Sequence, residues 1–477
     1  MKRRLNIGRC SGPQRYFGLA GSIFLAVAVG LTLVDLLADV PTFSVVAFAL
    51  TVLYILFSWF RLTLVAKVLG LIGAGLTIFL VNQRALFETL QEVSGTAMYL
   101  PSLLAVLAFL RAAATASPAL EAAGRYIVNQ PPGRRFAMLA MGTNVFGVLL
   151  NVGGLLMLLD IALHGRGEED KRDDRVRAIQ ARRMTSAVVR GFAATLFWSP
   201  FGVGMSLGLT LLPDFSWIEF LPIGLLSSAL FLLVGWVMDR LESPRSTRPA
   251  SFSRSAGLHQ LLAMVLHLAT IILLTTSVEY GFGVSLRASI LLVIPSYAII
   301  WHVVSCLMRG MRPDTSRTVL KAGFVEWNKI ANEIGILLAS SYIGLVLAEF
   351  VPSGLLADLA SCFGLTGGVL ACLISVSIVI LSIIGLNPMI TAIIIMASMS
   401  TMEVALLPSS MLVLSILLGW ATAMLLSPMT ATIIIAARLA GRPVLEVGLR
   451  WNGATAFVVI VVFSSILIGY EFLLKYT

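Results

Sequence analysis

Charged residues are scarce in this 477-residue chain: Asp, Glu, Lys and Arg make up 12% of it, against 58% hydrophobic residues. Soluble domains carry about 25% charged residues, so a water-soluble globular fold is excluded. Cysteine is nearly absent too. Cys10, Cys306, Cys362 and Cys372 form no C-x-x-C pair, which removes the usual signs of a disulfide framework or a thiolate metal site. Only four histidines occur, without H-E-x-x-H spacing or paired acids, so the chain lacks the residues of a membrane hydrolase and reads as a non-enzyme with no cofactor. One further absence bears on topology. No Lys or Arg falls between Lys329 and Arg438, which excludes a cytoplasmic loop from that stretch by the positive-inside rule.

What the chain does contain is apolar runs of about 20 residues, the length that crosses a bilayer. They place spans at residues 17–37, 43–60, 62–81, 97–110, 192–212, 217–238, 258–278, 288–307, 334–351, 411–439 and 454–474. The expected fold is all-α and polytopic, with about eleven transmembrane helices. The net charge of +10 lies mostly in short loops, where it sets orientation rather than binding nucleic acid. The basic N-terminus and the run after it read as an uncleaved first span. The N-terminus is then cytoplasmic and the C-terminus outside, in a bacterial inner membrane.

Two apolar stretches do not fit simple crossings. Residues 136–164 have basic clusters on both sides, Arg134 and Arg135 before, Arg166 through Arg183 after. They are interrupted at Gly142-Thr143-Asn144 and Asn151-Val152-Gly153-Gly154. A hairpin that enters from the cytoplasm and returns satisfies the charge rule; such broken backbone is tolerated at depth only inside protein or beside a polar cavity. Residues 369–402, broken at Gly385-Leu386-Asn387-Pro388, read as a second hairpin entering from outside. The charged residues 165–190 read as a loop, and 239–257 as a polar cytoplasmic linker.

Setting aside residues 1–42, the order in 43–238 is three spans, hairpin, broken span, span, and 258–477 repeats it in inverted orientation. Each hairpin carries an Asn at an interruption. Each following span is broken at Ser-Pro: Ser199-Pro200-Phe201-Gly202 and Ser427-Pro428-Met429-Thr430. Matched interruptions in two halves point to a transporter's midplane site. The arrangement resembles the ion transporter superfamily, with its divalent anion:sodium symporters, arsenite-type exporters and large membrane subunits of tripartite transporters. Those symporters carry Ser-Asn-Thr at each tip, of which only Asn144 and Asn387 stand here. The resemblance implies a homodimer with an elevator-like movement; an accessory binding protein leaves no mark in this chain.

The expected site is Thr143, Asn144, Asn151, Ser199, Gly202, Asn387, Thr391, Ser427 and Thr430. Helix N-termini at the breaks suit an anion, and carbonyls near Gly142, Asn144, Gly385 and Asn387 suit Na⁺. No charged residue is expected at a break, which favours Na⁺ over H⁺ as coupling ion, since proton-driven carriers need a titratable group there. The expected activity is secondary transport of a small anionic or polar solute. An oxyanion or metalloid exporter and a non-transporting assembly subunit are the alternatives.

Overall fold

The structure is a computed structural model. It describes residues 12–164, 174–242, 257–308, 310, 316–350, 358, 362–365, 367–400 and 407–476. All regular structure among these residues is helical. In chain order the helices are α1 (Gly12–Ala38), α2 (Pro41–Ser58), α3 (Leu64–Asn82), α4 (Leu86–Thr115), α5 (Pro118–Val128), α6 (Pro132–Leu150) and α7 (Val152–His164). Then come α8 (Asp174–Ala193), α9 (Val203–Leu211), α10 (Trp217–Glu242), α11 (Leu258–Phe282), α12 (Leu286–Leu307), α13 (Ser316–Lys329) and α14 (Ala331–Glu349). The last are α15 (Gly367–Ile384), α16 (Pro388–Ser400), α17 (Ser409–Leu426), α18 (Ala431–Ala440) and α19 (Trp451–Tyr476).

Eleven stretches among the described residues are long and apolar enough to cross a membrane, so the protein is an all-α polytopic membrane protein. The number equals the expected one, but the membership differs. Gly367–Ile384, expected as a hairpin arm, is long enough by itself. The broken span at 192–212 is instead divided between α8, a 3₁₀ turn and the short α9.

Two compact units make up the chain, residues 1–112 with 279–343 and residues 113–278 with 344–477. In the first, α1 packs along α2, and Ala28, Ala47, Met98 and Leu338 form a buried cluster. Trp327 of α13 is 3% exposed; its Nε1 donates to the Ala105 carbonyl and its own carbonyl accepts from Tyr54 Oη. An aromatic wedge with Phe109 and Phe324 completes this anchor.

In the second unit two helix pairs pack by the same device. A Cβ at Gly191 of α8 would fall 2.2 Å from the Ala140 carbonyl oxygen of α6. A Cβ at Gly419 of α17 would fall 2.7 Å from the Ser375 carbonyl oxygen of α15. Absent side chains let these backbones touch, the usual basis of close packing in lipid. The segment 174–193, part of the expected loop, is helical because its Ala, Gln, Met and Arg residues are good helix formers; residues 165–173 lie outside the described ones. Most of the expected linker lies outside them too. The span placed at 97–110 is longer at both ends, as the 30-residue α4, whose interior Pro101 does not end it.

Gly191→Ala should lower stability by about 1–3 kcal/mol through overpacking. Gly75→Ala, with nothing within 4 Å of the new methyl, should be neutral or stabilising. Thermal unfolding of the two purified variants in detergent measures the difference.

Candidate functional site

The first hairpin turns at Asn151, not at Gly142–Asn144. Helix α6 runs unbroken through Gly142, Thr143 and Asn144 to Leu150. Asn151 then takes φ 52° and ψ −137°, a left-handed φ that Asn tolerates better than most residues. Its Oδ1 accepts from Val152 N at 2.8 Å, and its carbonyl accepts from Gly154 N at 2.9 Å. The expected Na⁺ carbonyls at Gly142 and Asn144 are thereby withdrawn, because a mid-helix carbonyl is committed to the i+4 amide. Gly142 serves packing: a Cβ there would meet Ile127 of α5 at 2.5 Å.

Asn144 is 7% exposed and engaged on every side. Its Oδ1 accepts from Trp198 Nε1 at 2.8 Å, and its Nδ2 donates to Ser228 Oγ at 3.2 Å and to the Gly191 carbonyl at 3.5 Å. It thus joins α6 to the break of the next span and to α10. Thr143 is fully buried and donates to the Leu139 carbonyl at 2.6 Å within its own helix.

The two Ser-Pro breaks are built alike. Ser199 Oγ accepts from Phe201 N at 3.3 Å, and Ser427 Oγ accepts from Met429 N at 3.1 Å. Gly202 N donates to the Ser199 carbonyl at 3.1 Å, and Thr430 N to the Ser427 carbonyl at 3.3 Å. The residues that open the second half-helices agree in backbone angle: φ −79°, ψ 138° at Gly202 and φ −80°, ψ 136° at Thr430. Gly191 and Gly419 each stand eight residues ahead of the Ser of their break. Further along the chain a second glycine presses on the residues just ahead of each break, Gly224 of α10 on the Phe197 carbonyl at 2.2 Å and Gly448, in the π-helical turn before α19, on the Leu426 carbonyl at 2.5 Å, measured to an added Cβ.

At the second tip Gly385 has φ 125°. Asn387 Oδ1 accepts from Met389 N at 3.0 Å, and its carbonyl accepts from Ile390 N at 3.0 Å and Thr391 N at 3.5 Å. Ser427 Oγ donates to the Ser382 carbonyl at 2.7 Å, tying hairpin to break. Thr430 Oγ1 donates to the Ser427 carbonyl at 2.9 Å. The second hairpin arms cross over between halves: α7 packs on α18, and α16 packs on α9. Four half-helices, α7, α9, α16 and α18, thus begin at the four breaks of one unit. Their N-terminal amides carry partial positive charge.

Sequence reasoning passed over a charge in this unit. Arg190 is 2% exposed, the largest fully buried side chain among the described residues. Its Nε donates to Asn452 Oδ1 at 3.0 Å, one terminal nitrogen to the Gly235 carbonyl at 2.9 Å and the other to the Trp451 carbonyl at 3.3 Å. The guanidinium lies 5.7 Å from the Phe136 ring centre. The signal was a lone Arg in the otherwise uncharged run Met184–Trp198, closing a segment taken for a loop. Nearby, Arg183 forms two bonds to Asp239, at 3.0 and 2.6 Å, and Arg182 pairs with Glu242.

The fold is one already seen in solved membrane proteins. It is similar to the YdaH transporter of Alcanivorax borkumensis, whose crystal structure is described as revealing an unusual topology: TM-score 0.53, 16% identity, 81% of this chain and 89% of that one covered. It is also similar to MtrF of Neisseria gonorrhoeae, described with a class of antimetabolite efflux pumps: TM-score 0.51, 12% identity, 82% and 86% covered. No protein-family model matches the chain, and no curated protein matches it.

Asn144→Ala should cost about 1–3 kcal/mol, because it strands the Trp198 indole N–H and leaves Ser228 a partner short. Thr143→Val, which removes one bond within α6, should cost less than about 1 kcal/mol. The shift in unfolding midpoint of each purified variant checks the order.

Proposed function

We propose that this protein is a secondary active transporter, coupled to Na⁺, that carries a small anionic or polar solute across a bacterial inner membrane. The observation that carries the reading is the duplicated break: two Ser-Pro interruptions with the same hydrogen bonds and nearly the same backbone angles, each beside a hairpin that turns at or next to an Asn. The fold shared with two solved transporters supports it.

In this reading residues 43–238 and 258–477 are inverted repeats and the two hairpins are re-entrant. Asn151, Ser199, Gly202, Asn387, Thr391, Ser427 and Thr430 face the solute or the coupling ion. Thr143 and Asn144 hold the inner hairpin in place behind them. The neutral oxygens at the breaks ligate Na⁺ without a buried charge, and the four N-terminal amide groups receive the anion. The hairpins and broken spans move against a scaffold, and the protein works as a homodimer, as the superfamily resemblance implies.

Purified protein in proteoliposomes, offered [14C]benzoate, [14C]succinate, phosphate and arsenite in both membrane orientations, tests this. Saturable transport of at least one solute is expected, persisting when the pH gradient is collapsed and stopping without Na⁺. Dependence on the pH gradient alone would assign H⁺ instead; rates equal to those of empty liposomes for all four solutes would overturn the transporter reading. Asn387→Ala should reduce the rate at least about tenfold, the scale of one lost charge-assisted contact, in protein that still elutes as a folded species.

A further inference from the structure

We propose that Arg190 is the fixed positive charge by which the second unit selects for anions. The inference rests on the transport reading above and names the residue that sets the sign of the solute.

Arg190 is held at both ends of its guanidinium by neutral acceptors, an amide oxygen and two backbone carbonyls. It belongs to no ion pair among the described residues. The charges that bear on it most, on α8 and at the end of α10, are already matched: Arg183 pairs with Asp239 and Arg182 with Glu242. One unit of positive charge is therefore left inside the unit, shielded from water.

The geometry links that charge to the break. Arg190 precedes Gly191, whose carbonyl accepts from Asn144, and Asn144 in turn accepts from Trp198 beside Ser199. Ser199 stands nine positions beyond Arg190, past the end of α8 and a 3₁₀ turn, a rise of roughly 15 Å. At an effective interior dielectric of about 20, a charge at that range changes the affinity for a monoanion by about sevenfold and for a dianion by about fortyfold. A neutral solute feels nothing. The field adds to that of the four helix ends but, unlike theirs, can be switched off by one substitution.

Asn452 supplies the switch. It is fully buried, its Oδ1 already receives Arg190 Nε, and its Nδ2 donates to the Val447 carbonyl at 2.8 Å across the π-helical turn Glu446–Arg450. Asn452→Asp keeps the shape and the bond to Arg190 while cancelling the charge, and loses only the bond to the Val447 carbonyl, which a carboxylate cannot donate. Arg190→Gln removes the charge, and Arg190→Lys keeps it with poorer geometry.

Proteoliposome uptake of [14C]benzoate, [14C]succinate and [14C]glycerol, as monoanion, dianion and neutral probe, reads the effect. Asn452→Asp and Arg190→Gln should raise KM about sevenfold for benzoate and more steeply for succinate. Glycerol flux should be unchanged, and Arg190→Lys should keep anion KM values within about threefold of wild type. Folded Asn452→Asp protein with wild-type KM for both anions overturns the inference and leaves the transport reading standing. So does Arg190→Lys behaving like Arg190→Gln, which makes the side chain a packing element; this comparison serves if Asn452→Asp does not fold. If wild type carries none of the probes beyond empty liposomes, the transport reading fails and this inference with it.

Discussion

A helix that stops inside an apolar interior leaves amides and carbonyls with no water to turn to, and each such group costs several kcal/mol if unmet. The second unit of this protein contains four such stops, and each is closed locally. Ser199 and Ser427 bend back to the amide two residues on, while Asn151 and Asn387 cap the arms that follow them. The side chains chosen are short, polar and uncharged. That choice lets the chain interrupt itself without importing a counter-ion.

Close backbone contact supports these stops. Gly191 against Ala140 and Gly419 against Ser375 seat each broken span on the first arm of its hairpin, and Gly224 and Gly448 press on the Phe197 and Leu426 carbonyls just ahead of the breaks. The breaks are clasped between backbones, so their geometry depends on little that can change rotamer. Arg190 and Asn452 add a polar bolt between the two halves of the unit, reaching from α8 to α19.

Helix-spanning runs and Ser-Pro breaks were legible in the sequence, because both follow from rules that act over a few residues: hydrophobic length, and a proline that cannot donate. The first tip was legible only to within two candidates. Gly142-Thr143-Asn144 and Asn151-Val152-Gly153-Gly154 look equally like interruptions on paper. What separates them is that Gly142 is needed against Ile127 and Asn144 is consumed by Trp198 and Ser228, contacts made by residues far along the chain. Arg190 was illegible for the same reason. Its acceptors lie 45 to 262 residues away, and a charged residue at the start of an apolar run ordinarily marks the water interface.

The two units are not consecutive in the chain. Residues 1–112 find the rest of their unit only in 279–343, and 113–278 only in 344–477. During synthesis neither body can close when its first stretch emerges from the insertion machinery. Apolar helices such as α4, with buried faces made for partners not yet translated, must wait in the bilayer until residues 279–343 are made. Assembly is therefore late, the first body closing only once residue 343 is made and the second after it, and a chain halted between residues 278 and 344 leaves two half-built bodies rather than one finished one.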